Sequence, residues 1–263
     1  MKSDFDVQRT GTGTKEWAEV NFNIGLGCSN GCLYCYARSM AMRYKRIPDR
    51  GAWLREELTA NANLAGYPLR PGVIMFPSTH DITPFYLPDY IRAALLMLEK
   101  GNRLLITTKP RMECLRTLLG AFLDYKDRVL FRFTIGSMDV GDVEFWEPGA
   151  SLPLERLACL RRAFESGFQT SVSIEPMLAG RHEALRVLRK IYPFVTETVW
   201  IGLMNRVRSR LDMDDPLQVA AAEGIRMLQS PAEIRDLVKS VKLLRLDKVR
   251  WKDSIKQITN VEL

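Results

Sequence analysis

Short runs rich in β-branched and aromatic residues recur along the chain at 18–25 (AEVNFNIG), 72–77 (GVIMFP), 103–108 (RLLITT), 129–136 (VLFRFTIG), 168–174 (FQTSVSI) and 197–203 (ETVWIGL). Each predicts a strand. Between them apolar positions repeat with helical spacing over Pro88 to Lys100, Arg111 to Tyr125, Leu154 to Glu165 and His182 to Ile191, several ending in a Gly or a charged turn. The longer gap after the first strand predicts helices over Ala37 to Lys45 and Ala52 to Leu64, and two more, Pro216 to Leu228 and Pro231 to Leu244, near the end of the chain. Strands that recur every 25 to 40 residues or so, with a helix between, are the mark of right-handed βα units in a parallel sheet. No repeat or linker interrupts the series. The expectation is one domain over 1–263, with an N-terminal extension (1–17), a barrel (about 18–205) and a helical, basic C-terminal segment (about 206–263).

Within several strands a second pattern, of period 2, decides between architectures. Asn21 and Asn23 alternate with Val20, Phe22 and Ile24; Arg132 and Thr134 with Phe131, Phe133 and Ile135; Gln169, Ser171, Ser173 and Glu175 with Val172 and Ile174. Strands of a doubly wound sheet are covered on both faces and read as continuous apolar runs, and a closed eight-stranded barrel fills its interior with Val, Ile and Leu. A repeatedly polar face fits neither. It predicts an α/β fold of the partial (β/α)6, TIM-like kind, whose outer face meets helices and whose inner face lines a polar chamber.

Composition narrows the class. The chain of 263 residues is 46% hydrophobic and 26% charged, and it contains no apolar stretch near the roughly 18 residues that a membrane span needs. The first twenty residues mix acids with bases and carry no apolar core, so a secretory leader is not expected and the cytoplasm is. Lys and Arg exceed Asp and Glu by 38 to 31, a net charge of +7, which favours an anionic partner such as DNA or RNA. The excess gathers at Arg206, Arg208 and Arg210 and again at Lys239, Lys242, Arg245, Lys248, Arg250, Lys252 and Lys256. Solvated helix faces would look the same.

The most specific signal is Gly27-Cys28-Ser29-Asn30-Gly31-Cys32-Leu33-Tyr34-Cys35-Tyr36, directly after the first strand. Three of the five cysteines fall in it with the spacing Cys-x3-Cys-x2-Cys; in a reducing compartment such a cluster is better read as ligands than as disulfides. Three thiolates on a loop that glycine lets turn can wrap one iron–sulfur cluster and leave one iron open. Structural zinc wants four protein ligands, and His80 is the available fourth. Cys114 and Cys159 stand apart within helical patterns and are expected to be small buried hydrophobes.

The cysteine spacing resembles that of the radical S-adenosylmethionine superfamily. The resemblance implies a 4Fe-4S cluster on Cys28, Cys32 and Cys35, S-adenosylmethionine on the open iron, an external low-potential electron donor, and an aromatic residue, Tyr34, beside the adenine. Further blocks, Thr108-Lys109, Phe131 to Ser137 (FRFTIGS) and Trp146 to Gly149 (WEPG), are similar to the spore photoproduct lyase branch and occur in the same order over residues 20–176. That likeness implies Lys109 against the cofactor carboxylate, Ser137 hydrogen-bonded to the cofactor, and a part for Tyr34 and Tyr36 in hydrogen-atom transfer. One position departs. Where the branch carries a hydrogen-donating thiol this chain has Ser78, whose O–H bond is much harder to break homolytically, so Ser78 is expected to touch the cofactor or substrate instead. Glu175, closing the fifth predicted strand, is a candidate for the cofactor ribose or the substrate; Asp81 is expected to be a structural cap. Two readings stay open: a radical enzyme acting on a nucleic acid, a nucleotide, a peptide or a small metabolite, and a noncatalytic nucleic-acid-binding protein stapled by a metal.

Overall fold

The computed structural model describes Phe5 and residues 11–259. From the amino end the chain forms β1 (Val20–Asn21), β2 (Gly25–Leu26), α1 (Tyr36–Arg43), β3 (Glu57–Leu58), β4 (Val73–Met75), α2 (Leu87–Glu99), β5 (Arg103–Thr108), α3 (Met112–Ala121) and β6 (Val129–Thr134). There follow α4 (Val140–Trp146), α5 (Pro153–Glu165), β7 (Gln169–Ile174), α6 (Arg181–Ile191), β8 (Val199–Ile201), α7 (Val207–Arg210), α8 (Pro216–Leu228), α9 (Pro231–Leu243), β9 (Val249–Trp251) and α10 (Asp253–Thr259). Seven strands make one sheet in the order β1-β4-β5-β6-β7-β8-β9, every neighbouring pair parallel. The sheet curls into a half barrel, and β2 and β3 form a small antiparallel pair beside it.

The period-2 pattern sorts residues as expected. Ile106, Phe131, Phe133, Val172 and Ile174 pack with Leu115, Leu118, Cys159, Leu160 and Val187 from the helices, and with Cys114, in the large outer core. Leu105, Leu130 and Trp200 face the other way and meet Phe5, Trp17 and Ala18, so the N-terminal segment plugs the amino end of the curl. Two residues further along the same inward rows come Thr107 and Arg132, and Ser173 pairs in register with Trp200. The inner face is therefore apolar at the plug and polar toward the carboxyl ends of the strands. Arg132 is buried there, 4.8 Å from the Trp17 ring centroid, with its Nε donating to Ser171 Oγ at 2.9 Å. Among the described residues no helix is long and apolar enough to cross a membrane.

Two segments differ from expectation. Ala52 to Leu64 is not a helix: it holds β3 between 3-10 turns at Gly51–Leu54 and Ala60–Asn63. Its backbone is engaged by the neighbouring loop instead, Trp53 O accepting from Cys28 N at 2.8 Å and Thr59 N donating to Ile24 O at 2.8 Å, and such tertiary bonds outweigh a weak local propensity. The basic C-terminal stretch is not wholly helical, because Val249–Trp251 adds a seventh strand on β8. Three residues with an Arg among them are too short a run to betray a strand. Residues 1–4, 6–10 and 260–263 of the expected terminal segments lie outside the described residues.

Phe131 is fully buried, 5.3 Å from the Phe168 ring and 5.8 Å from Phe133. Phe131→Ala should lower the unfolding free energy by about 3–5 kcal/mol, read as a shifted urea midpoint at unchanged slope.

Candidate functional site

The residues expected to build the site stand at the carboxyl edge of the sheet, where βα loops build active sites. The cysteine loop follows β2, Ser78 and Asp81 follow β4, Lys109 follows β5, Ser137 follows β6, Glu175 follows β7, Arg206 to Arg210 follow β8 and Lys252 follows β9.

The cysteine loop is held through its main chain. Gly27 has φ +90, and a Cβ there would lie 2.0 Å from Arg55 O, so no other residue fits. Trp146 to Gly149 clamps the far side: Leu33 N donates to Trp146 O at 2.9 Å, Gly149 N to Asn30 O at 3.0 Å, and the Tyr34 hydroxyl to Glu147. A Cβ on Gly149 would sit 2.2 Å from Ser29 O. Asp81 ties the same loop to the neighbouring strand ends. Its carboxylate accepts from Asn30 Nδ2 at 2.8 Å, from Lys109 N at 2.9 Å, from Ile82 N at 2.8 Å and from the Thr108 hydroxyl. Asp81 thus joins three loops, a wider role than capping the segment after it.

Cys28 and Cys32 are buried and Cys35 is partly so. Cys35 Sγ accepts from Arg38 N at 3.4 Å as the cap of α1. Burial pushes the Cys28 thiol far up and the Cys32 thiol up to about 12; among the charges acting on them, Cys32 raises Cys28, Cys35 raises Cys32, and Lys109 works on both in the opposite sense. Lys109 is thus within electrostatic reach of Cys28 and Cys32. Among the described residues no three His, Cys, Asp or Glu side chains converge closely enough to hold a single metal ion. The His80 ring lies 5.5 Å from Tyr90 with Nδ1 3.1 Å from Thr79 Oγ1, burial pushes its pKa down to about 4, and its Nε2 is buried with no hydrogen-bond partner among the described residues. A donor set of three thiols fits a multi-iron cluster, in which each thiolate takes its own iron, better than one zinc held with His80.

Lys109 lies 5.8 Å from the Tyr34 ring centroid and 3.9 Å from Glu147, and its side chain is 15% exposed. Glu147 is wholly buried against Arg156 Nη2 at 2.6 Å. Burial alone would raise its carboxyl; Arg156 and then Lys109 overcome that and hold it below its ordinary value. Tyr36 shows 42% of its surface, yet its hydroxyl turns to the Ser78 carbonyl, and burial followed by the Cys35 thiol pushes that hydroxyl up to about 12. Asn23 positions Ser78: its Nδ2 donates to Ser78 Oγ at 2.9 Å and its Oδ1 accepts from Ser78 N at 2.8 Å. The Ser137 hydroxyl donates to Asp142 at 2.8 Å and accepts from Asp139 N at 2.9 Å, which commits it to the turn before α4. Glu175 meets Lys252 Nζ at 3.6 Å, and burial raises its carboxyl against the pull of Lys252. On the inner face Thr107 Oγ1 and Ser173 Oγ are buried with no hydrogen-bond partner, two polar atoms that a bound polar molecule would satisfy.

Among solved structures, a mutant of spore photoproduct lyase with bound AdoMet and dinucleoside spore photoproduct aligns with a TM-score of 0.54 at 17% identity, over 81% of this chain and 61% of the lyase chain. Streptococcus suis SuiB bound to S-adenosylmethionine aligns with a TM-score of 0.55 at 9% identity, over 93% of this chain and 54% of SuiB. The fold is one that this chain shares with spore photoproduct lyase and SuiB. By sequence, the uncharacterized protein ORF301 of Acidianus two-tailed virus is 27% identical over 175 residues, 61% of this chain. The chain matches 56% of that viral relative's length. No family model matches the chain.

Glu147, Arg156, Asn30 and Arg111, whose Nη2 donates to Asn30 Oδ1 at 3.2 Å and to Gly149 O at 2.5 Å, were not singled out from the sequence. Arg156 had a legible signal: it shares the stripe of Cys159, Leu160 and Ala163 on α5, and an arginine inside an apolar stripe announces a buried partner. Gly149 acts through main-chain approach and Asn30 through both its carbonyl and its amide side chain, for which spacing gives no cue.

Removing one partner of a buried ion pair strands the other. Glu147→Ala should cost about 3–5 kcal/mol, and Glu147→Ala/Arg156→Leu should cost less than Glu147→Ala alone, measured by urea unfolding. Because the folded Glu147 carboxyl is depressed, its contribution is complete above the ordinary glutamate range and is lost as pH falls through the lower folded value. The acid limb of the stability profile should flatten in the double variant.

Proposed function

We propose that this chain is a radical S-adenosylmethionine enzyme in which Cys28, Cys32 and Cys35 hold a 4Fe-4S cluster. The observation that carries the reading is the loop itself: three thiols on a turn fixed by Gly27, Gly31 and Gly149, with Lys109 beside them, at the carboxyl edge of a half barrel. When bound, the cluster with S-adenosylmethionine supplies an electron to the sulfonium and thereby a 5′-deoxyadenosyl radical.

The chain's own residues supply binding and enclosure. Lys109, whose ammonium the surrounding Cys32, Glu147 and Asp81 keep charged despite burial, offers a fixed cation for the cofactor carboxylate. Tyr34, locked by Glu147 and lying under Lys109, offers an aromatic face for the adenine. Thr107, Ser173 and Glu175 line the inward rows that meet the rest of the cofactor or the substrate. Ser137, turned into its own loop, supports α4 and Glu183, with contact to the cofactor open to its backbone.

Tyr36 and Ser78 lie together at the rim, where Tyr36 is the group placed to pass a hydrogen atom. With a hydroxyl at Ser78 in place of a thiol, reversal of a thymine dimer by terminal S–H donation is not the reaction we assign. The substrate class we favour is a nucleic acid or nucleotide, on the basic charge and the likeness to the lyase, with electrons from an external low-potential donor and the cytoplasm as the compartment.

Anaerobic reconstitution with iron and sulfide should load about four irons per chain with brown absorbance, and dithionite with S-adenosylmethionine should release 5′-deoxyadenosine. Cys32→Ala should remain folded by circular dichroism while losing both iron and cleavage. One tightly held zinc with no cleavage, or a Cys32→Ala chain that simply unfolds, would instead favour the metal-stapled binding protein.

A further inference from the structure

The turn after β8 is pinned to the cysteine loop by arginines. Arg50 donates to Arg210 O at 2.7 Å and to Leu211 O at 2.6 Å, and Arg38 Nη2 donates to Leu33 O at 2.7 Å. Arg210 in turn donates from Nη1 to Tyr34 O at 3.3 Å, inside the cysteine motif. Arg206 opens the turn with a left-handed backbone, φ 53.

Carbonyl oxygens satisfy donors but leave charge unbalanced. Among the described residues Arg38, Arg50, Arg206 and Arg210 make no ion pair with a carboxylate, whereas Arg208 of the same turn is taken up by Glu223 at 2.5 Å. Arg38 lies inward against the cysteine loop, its Nη2 bonded to Leu33 O and 3.4 Å from Arg210 O. Arg210 lies further out. Its Nη1 reaches Tyr34 O at 3.3 Å, two residues before Tyr36, and Cys35, Tyr36 and Glu175 lie within its electrostatic reach, which sets its guanidinium at the rim. A guanidinium has five N–H donors in a planar fork, and Arg210 spends one of them on the protein.

We propose that Arg210, backed by the charge of Arg206, is an oxyanion subsite that grips a phosphate of the substrate beside Tyr36. Calling the bound molecule a substrate rests on the radical-enzyme reading; the anion subsite itself does not. The fork geometry suits two parallel bonds to a phosphate, and the clamps from Arg50 and Arg38 hold the backbone of the turn so that the side chain is pre-set. Exposed Arg206 adds attraction without a fixed contact.

The test titrates the reconstituted chain calorimetrically with thymidylyl-thymidine, with its uncharged methylphosphonate analogue, and with inorganic phosphate. Wild type should bind the phosphodiester about tenfold or more tightly than the analogue, and phosphate should compete. Arg210→Ala should bring the two dinucleotides to one affinity, Arg210→Lys should restore part of the difference, Arg206→Ala should reduce it, and Arg208→Ala should leave it intact. Equal affinity of wild type for the two dinucleotides overturns the proposal. If neither dinucleotide binds, saturable phosphate binding that is lost in both Arg210→Ala and Arg206→Ala sustains the subsite, and its absence overturns it. Release of 5′-deoxyadenosine from the same preparations separates the two readings: cleavage without phosphate discrimination removes the subsite alone, and discrimination without cleavage removes the radical enzyme alone.

Discussion

A carboxylate with no access to water fixes the geometry of this site. Glu147 is buried and survives there because Arg156 meets it at 2.6 Å, Lys109 stands 3.9 Å away and the Tyr34 hydroxyl donates to it. Four elements are joined in that one cluster: the cysteine loop through Tyr34, the end of β5 through Lys109, the end of α4 through Glu147 itself, and the inward stripe of α5 through Arg156. A buried ion pair is weak evidence for stability, because the desolvation of both groups offsets most of the attraction. Its value here is positional. With one carboxylate shared among three partners, none of them can move without leaving a charge or a donor unmet, so Tyr34 and Lys109 are held at a fixed mutual distance.

Around that cluster the loop is shaped by main-chain bonds rather than by side-chain packing. Trp53 O and Trp146 O accept from Cys28 N and Leu33 N, and Asn30 O accepts from Gly149 N, so the loop is gripped from two sides. Asp81 gathers the ends of β4 and β5 onto Asn30. Loops held this way can present buried thiols without the compensation a helix or strand would give them, and the glycines at 27 and 149 are needed because the gripping backbones come too close for a Cβ.

What the sequence shows of this arrangement divides along physical lines. Alternation in β6 and β7 told which residues face the helices and which face inward, because period 2 is a local property of the strand. The cysteine spacing was legible for the same reason, all three residues lying on one short loop. The contacts that escaped act over long separations: Tyr34 to Glu147 spans 113 positions and Arg210 to Tyr34 spans 176, and no periodicity relates them. The helix expected over Ala52 to Leu64 failed because its backbone groups were needed by a loop some thirty residues earlier, a demand the local residues do not register. The Ser137 hydroxyl also bonds within its own loop, since a serine two residues before an Asp at the start of a helix has local partners ready.

The basic C-terminal stretch illustrates why counting charge along a chain differs from finding charge on a surface. Lys252 is buried, 2.7 Å from Glu16 and 4.2 Å from the Trp17 ring, where it links the N-terminal plug to Glu175 at the mouth. Lys248 caps Val195 O at 2.6 Å over the Tyr192 ring, and Lys239 pairs with Asp236 at 3.3 Å. The run that looked like one cationic face is thus divided between internal ties and exposed helix. The arginines after β8 are the reverse case: fewer in number, with Arg208 taken up by Glu223, they include Arg206 and Arg210 without a carboxylate ion pair among the described residues, and Arg210 reaches Tyr34 O in the cysteine loop. For steering an anion toward a reacting centre, unbalanced charge at the mouth counts for more than a larger number of cations whose fields are cancelled by neighbours or spread over a Debye length of solvent.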